Sequence, residues 1–307
     1  MTVGDNVPGT DADGPGFQMV GIPDGLGTYK SGRDTFTVLM NHELRAEPAQ
    51  GITRDHGAVG AFVSKWTIDE DTLEVVAGED LIKQVVLAPE GVYGAPQKGV
   101  VLENAQKTGA AIDSESRALG VTDFNRPEDG AWDPSRRDKF YWVTTGRPKV
   151  SGGNSRLWRF DFTNARKPEQ GGTIDMLLDG SEGQEMMDNM TVDGYGRVLI
   201  NEDPGNNPIA SRIWSYEIRS DRLVEVAVQK QAHGPEPNPA YTGYYTNDEE
   251  VSGIIPADDI LGKGWYLLDS QIHNSAFSTT SDAQKLVEKG QLLALYHPVG
   301  RDKDEDD

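Results

Sequence analysis

Acidic and amide side chains recur in this 307-residue chain at matching points of a repeated strand pattern: Asn41-His42-Glu43, Arg126-Pro127-Glu128-Asp129, Asp188-Asn189, Asn201-Glu202-Asp203, Asp248-Glu249-Glu250 and Asp269. Carboxylates and amide carbonyls are hard oxygen donors, and about six to eight of them around one point make a Ca²⁺ site. Scattered, the same residues are ordinary turn formers. Pro127 fixes the backbone ahead of Glu128, so a ligand there is rigidly aimed. Asp188 and Asn189 lie among Met186, Met187 and Met190, a buried setting in which a carboxylate without a partner is costly.

Neighbouring side chains in a strand point to opposite sides, so only one of Glu249 and Glu250 reaches a common axis. The expectation is Glu250, in phase with Glu128 and Asn189. Glu43 and Glu202 follow the apolar runs Val38-Leu39-Met40 and Val198-Leu199-Ile200, where polar residues cap a sheet or line a site. Asp269 and His273 end another such run. His273 can ligate a metal, act as a base or orient a carboxylate, and a satisfied structural histidine is an equal alternative. His42 and His56 share that ambiguity, and HExxH spacing is absent. Arg126, beside Glu128, is the first candidate for a cation facing a charged substrate, and Arg45 is the second.

The elements that must position these residues form a repeat. Second-strand copies read TFTVLM at 35–40, KFYWVT at 139–144, RVLIN at 197–201 and GWYLL at 264–268. Third-strand copies lie at 60–69, 155–162, 211–218 and 290–298. Period-two alternation sets Leu157, Arg159 and Asp161 opposite Trp158, Phe160 and Phe162. From Glu43 to Thr145 there are 102 residues, but only 57 from Thr145 to Glu202. One unit is therefore expected within about 83–125, where the only strand-like runs are 85–87 and 100–102. The fold class expected is all-β, a single β-propeller of six blades, with five as the alternative, around a central channel lined by metal ligands.

The 35 glycines and 17 prolines punctuate short strands, and the only helical pattern is at 281–289. Residues 1–16 read as a flexible N-terminal segment, 17–300 as the propeller and 301–307 as an acidic tail. Fifty acidic against 29 basic residues give a net charge of −21, which disfavours nucleic acid and anionic membrane surfaces. With no cysteine, neither disulfides nor thiolate chemistry is available. No apolar run is long enough to span a membrane, and no signal peptide stands at Met1. GxSxG, P-loop and Rossmann patterns are missing.

The strings NHE at 41–43, GAFVSKW at 60–66, NRPEDGAWDP at 125–134, SRLWRFDF at 155–162, DNMTVDGYGRVLINEDPGN at 188–206 and DEEVSGIIPADDILGKGWYLLDSQIH at 248–273 resemble the PhoX-type family of bacterial phosphatases. The resemblance spans about residues 17–298. It implies a propeller whose channel binds Ca²⁺, and in PhoX itself also iron, for hydrolysis of phosphate monoesters. It also implies that Glu43, Glu128, Asn189, Glu202 and Glu250 face metal, and that the protein is periplasmic or extracellular. PhoX bridges its irons through a cysteine that this chain lacks, so a calcium-only site is the expectation. The function expected is Ca²⁺-dependent hydrolysis of a small phosphate ester, mono- or triester, by a monomer. The alternatives are a lactonase or arylesterase of the paraoxonase type and a noncatalytic calcium-stabilised propeller.

Overall fold

The computed structural model describes residues 1–9, 16–44, 53–55, 60–83, 109–118, 120, 124–149, 153–207, 209–229, 248–273 and 287–299. Short strands β1 (Asn6–Val7) and β2 (Phe17–Gln18) pair with each other. Strands β3 (Pro23–Lys30), β4 (Thr35–His42), β5 (Phe62–Asp69) and β6 (Val75–Asp80) then form an antiparallel meander, followed by helix α1 (Gly109–Ala118). A second meander holds β7 (Pro127–Trp132), β8 (Lys139–Thr144), β9 (Arg156–Phe162) and β10 (Gly172–Leu178), and a third holds β11 (Met187–Val192), β12 (Arg197–Glu202), β13 (Arg212–Glu217) and β14 (Arg222–Val228). A last sheet holds β15 (Glu249–Pro256), β16 (Trp265–Ile272) and β17 (Lys289–Tyr296), with helix α2 (Asp258–Leu261) between its first two strands.

The described residues thus hold four blade-like sheets, all antiparallel, and the second and third strands fall where the repeat places them. Neither six blades nor five can be counted from them. Of the stretch 83–125, the runs at 85–87 and 100–102 lie outside the described residues, and 109–118 is helix rather than strand. The helical pattern at 281–289 lies outside them as far as residue 286, and Lys289 already begins β17.

The sheets pack face to face, with first strands adjacent in the order β7, β11, β15, β3. An apolar layer fills each of the three junctions between these sheets. Tyr141, Val143 and Leu157 meet Val198 and Ile200; Leu199 and Ile213 meet Ile254 and Leu268; Leu267 and Leu292 join Phe36, Val38 and Trp66. Strand β12 is buried on both faces, which is why its sequence is a continuous apolar run and not an alternating one.

Serines join successive sheets. Ser155 Oγ, at the start of β9, accepts the Met187 N–H at 2.7 Å, and Ser211 Oγ, before β13, accepts the Val251 N–H at 3.0 Å. The matching residue of β17 is Gly290, which faces the ring of Pro23. Proline has no N–H to satisfy, so a serine is not needed there.

Residues 1–9 depart from the expected loose leader. Thr2 bridges Gln291, the Val3 N–H donates to Gly290 O at 2.7 Å, and Val3 is buried, so the first residues lie against the β17 edge. Hydrogen bonding and apolar burial together hold them.

Candidate functional site

Each first strand carries one extra residue at the same place. Pairing jumps from Pro23–His42 to Leu26–Met40, from Pro127–Thr144 to Gly130–Trp142, from Met187–Glu202 to Met190–Ile200, and from Val251–Ser270 to Ile254–Leu268. Three steps on the first strand match two on the second, the signature of a β-bulge, which re-aims side chains and breaks strict alternation. The bulged pairs are Asp24-Gly25, Glu128-Asp129, Asp188-Asn189 and Ser252-Gly253. Opposite them stand Asn41, Val143, Asn201 and Asp269. Ile22, Arg126 and Met186, each one residue before its strand, share a left-handed backbone at φ 50°, 57° and 51°. Non-glycine residues reach that region at a cost of roughly 1–2 kcal/mol, so the repeat preserves a strained turn into the bulge.

The bulges meet one another. Ser252 Oγ donates to Asp24 Oδ1 at 2.6 Å and lies 3.2 Å from Asn189 Oδ1, while Asn189 Nδ2 donates to Asp24 Oδ1 at 3.2 Å. Gln271 Nε2 reaches Ser252 Oγ at 3.2 Å and Glu43 Oε2 at 3.4 Å, and Asn201 donates to Ser252 O. Asp129 Oδ2 accepts the Met190 N–H at 3.0 Å. Gly253 is required by this closeness, because a Cβ there would fall 2.6 Å from Asp24 O.

Around this centre the carboxylates raise one another's proton affinity. Asp269 is fully buried, and among the described residues neither of its oxygens meets a donor at full hydrogen-bond geometry, the Gly253 amide alone being close enough to temper its shift. Burial, then Asp24 and Glu250, hold its carboxyl well above the usual range. Burial and the charges of Glu250, Glu128, Asp203 and Asp24 push Asp188 up to about 8. Glu43 is raised by burial and by Asp24, and Glu250 by burial and by Asp203. Among the described residues, no three His, Asp or Glu side chains stand as a ready-made metal cage. The donors at the bulges are instead mixed, with amide and hydroxyl groups set between the carboxylates.

The remaining candidates fall in three places. His273 Nδ1 lies 2.6 Å from Glu288 Oε2, and its Nε2 is 3.9 Å from Glu250 Oε2. Burial pulls this imidazole down, but the two glutamates prevail and raise it to about 10. Glu128 and Arg126 form a 3.3 Å ion pair at the rim, with the Arg126 side chain half exposed. Glu202 is buried: its Oε1 accepts the Glu185 N–H at 2.7 Å and Trp214 Nε1 at 2.8 Å, and its Oε2, 3.6 Å from Arg212, has no hydrogen-bond partner among the described residues. His42 is a buried structural residue between Gly21 O and Ser64 Oγ, stacked on Phe62, and burial takes it down to about 3. Arg45 and His56 lie outside the described residues.

The expected phase of Glu250 needs correction. Register places Glu250 opposite Gln271, two residues ahead of the bulge and level with Arg126 and Met186, while Ser252 occupies the position of Glu128. Glu250 nevertheless reaches the cluster through its charge on Asp188 and Asp269. Asp24, Ser252 and Gln271 went unnoticed in the sequence, and Asp203, although part of the recurring Asn201-Glu202-Asp203, was not singled out as a candidate. The signal for Asp24 was the Pro-Asp-Gly of β3 echoing Pro-Glu-Asp-Gly of β7.

A cavity of about 770 Å³ opens at the far end of the first strands, beside Thr28, Tyr195, Pro256 and Asp258. None of the clustered carboxylates lines it. Perturbed ionisable groups, not void size, mark the candidate site here.

No protein-family model and no curated protein matches this chain. Among solved structures it is similar to Pseudomonas fluorescens PhoX in complex with vanadate, a transition state analogue, at 13% identity and a TM-score of 0.42, over 93% of this chain and 56% of that one. It is also similar to a chain of a nidogen/laminin complex, at 9% identity and a TM-score of 0.31, over 85% of this chain and 65% of that one. This chain therefore spans just over half the length of the PhoX chain and under two thirds of the other.

Proposed function

We propose that the bulge cluster binds a divalent cation, Ca²⁺ in the first place, and that the protein hydrolyses phosphate esters there. Asp269 carries this reading. An ionised carboxylate taken out of water loses several kcal/mol after relaxation, in order-of-magnitude terms. Among the described residues only the Gly253 amide tempers that loss at Asp269, which sits among other carboxylates, so a proton or a cation is needed to neutralise it. Oxygen-only donors suit Ca²⁺ better than zinc, which prefers nitrogen and sulfur.

Asp269, Asp24, Glu43, Asp188, Asn189 and Glu250 would hold the ion, with Glu128 at the rim. When bound, Ca²⁺ supplies polarisation of the phosphoryl oxygen. Arg126 is long and half exposed, able to turn from Glu128 toward an oxygen on which charge develops. His273, hydrogen-bonded to Glu288 and facing Glu250, orients these two glutamates. The choice of phosphate ester over other esters comes from the motif resemblance. Elemental analysis of the purified protein, with turnover of 4-nitrophenyl phosphate esters and a lactone measured before and after EDTA, tests the reading. Bound calcium and ester turnover that vanishes with EDTA and returns with Ca²⁺ would support it. Turnover indifferent to EDTA would sink the calcium role, and lactone turnover alone the phosphate one.

A further inference from the structure

An open recess lies away from the bulges, at the opposite end of the β7–β10 sheet, where the β7–β8 and β9–β10 turns come together. It measures about 600 Å³ and is lined by Trp132, Arg137, Asp138, Thr163, Asn164 and Arg166. That volume falls within the roughly 300–1,000 Å³ of small-molecule sites. Trp132 ends β7 and is 49% exposed, although Phe140 packs on it at 5.2 Å and Phe162 stacks on it at 5.4 Å between ring centres. The indole is thus held by its neighbours and still open to a visitor. Both turns are held as well: Asp133 Oδ1 accepts the N–H groups of Ser135 and Arg136 at 2.8 and 3.0 Å, and Asn164 Oδ1 accepts the Arg166 N–H at 3.0 Å. The Phe162 N–H donates to Asp138 O at 2.9 Å and ties one turn to the other.

What the recess offers is chiefly donors. Among the described residues, the Trp132 indole N–H and the guanidinium groups of Arg137 and Arg166 have neither a hydrogen-bond nor an ion-pair partner, and all three residues are exposed. Asp138 is the one carboxylate in the lining, and it pairs with neither arginine. Arginines elsewhere in this acidic chain do find carboxylates: on the opposite face of the same sheet, Arg159 holds Asp175 at 2.7 Å and Asp161 at 3.2 Å. A guanidinium fork matches the oxygens of a phosphate or carboxylate, and an indole face takes a flat ring. We infer that this recess binds a small ligand made of an aromatic ring and an oxyanion, the ring against Trp132 and the phosphate or carboxylate between Arg137 and Arg166. Nothing in this depends on the bulge cluster or on the hydrolase reading.

The test is titration of the full chain, ¹⁵N-labelled at tryptophan, with EDTA present so that no calcium at the bulges takes part. The Trp132 indole signal is assigned by its loss in Trp132→Phe. Adenosine monophosphate and benzoate probe the phosphate and carboxylate forms of the ligand, while adenosine and inorganic phosphate supply ring and oxyanion separately. The Trp132 signal should move with adenosine monophosphate, with benzoate or with both, which tells the two oxyanions apart. Adenosine and phosphate alone should each bind at least about fivefold more weakly than the ligand that joins ring to oxyanion, because each makes only part of the contact. Arg137→Gln and Arg166→Gln, both at exposed positions, should each weaken binding at least about fivefold through loss of a charge-assisted fork. Asp269→Asn should leave it unchanged. No movement with either ring oxyanion up to about 10 mM overturns the inference. So does equal affinity for adenosine or phosphate alone, binding that either arginine variant leaves unaltered, or binding lost in Asp269→Asn.

Discussion

Asp24 and Ser252 are 228 residues apart in the chain and 2.6 Å apart in space, hydroxyl to carboxylate. Their contact ties the bulge of the first full sheet to that of the last, while Asn189 brings in a third. Ser252→Ala should therefore cost about 1–3 kcal/mol, because it leaves a partly buried carboxylate short of a donor. Asp24→Asn keeps an oxygen for Ser252 but removes a charge. It should leave the melting temperature of the metal-free protein unchanged or higher and weaken Ca²⁺ binding by about tenfold or more, each factor of ten being about 1.4 kcal/mol. Calorimetric titration of both variants separates the two effects; equal calcium affinity in Asp24→Asn would remove Asp24 from the site.

Asp269 offers a sharper contrast between stability and binding. Its charge is unpartnered and repelled by Asp24, Glu250 and Glu43, so Asp269→Asn relieves strain in the metal-free fold. The expected outcome is a higher melting temperature without calcium and a lower one with it, relative to the parent protein. Thermal melts at both conditions check this. A variant less stable without calcium would mean that Asp269 is held by contacts of ordinary structural worth.

Stability of the metal-free protein should fall as pH rises. Asp188 has a folded pKa raised from 3.8 to about 8, and Asp269 is raised too, by burial first. For a raised carboxylate the folded state binds the proton more tightly than the unfolded state does, so its contribution is complete below about pH 4 and lost as pH climbs through 8. His273, raised from 6.5 to about 10, loses its contribution over that higher window in the same direction. Between pH 5 and 9 the melting temperature should drop by more than about 5 °C. Saturating Ca²⁺ should cancel much of the drop, since ionised carboxylates bind the ion and protonated ones do not. A flat profile without calcium would mean that the cluster is already neutralised by other means.

The second and third strands were legible in the sequence because burial writes directly into residue type. Val198, Leu199 and Ile200 are apolar on consecutive positions because both faces of β12 are covered, and Trp158, Phe160 and Phe162 alternate because β9 shows its two faces to different surroundings. Phase at the bulges was not legible. One inserted residue inverts every side chain beyond it, so counting back from Glu250 by alternation matched it to Glu128 and Asn189 when its level is that of Arg126. Asp24 was missed for a related reason: Pro23-Asp24-Gly25-Leu26-Gly27 has the composition of a turn, and it is the Asn41 side chain, 2.9 Å from where a Cβ would stand, that favours glycine at 25. The contact of Met1–Val3 with β17 was hidden because three residues at a chain end are too few to carry a period.

Glu202 and Glu43 both end apolar second strands and read alike in the sequence, but they should respond differently to mutation. Glu202 is buried, holds the indole N–H of Trp214 and the Glu185 N–H, and lies 3.6 Å from Arg212, with none of the central carboxylates among its close partners. Removing it as Glu202→Ala leaves two donors unpaired in a dry setting, a loss of about 2–4 kcal/mol. Calcium affinity of the folded fraction should stay within about twofold of the parent. Glu43 is exposed, with Gln271 as its hydrogen-bond partner and Asp24 pressing on its charge. Glu43→Gln should therefore leave the melting temperature nearly unchanged without calcium while lowering calcium affinity. Denaturant melts paired with calcium titration of each variant decide the matter: calcium binding lost in Glu202→Ala but kept in Glu43→Gln would reverse the two assignments and move the centre of the site toward Trp214.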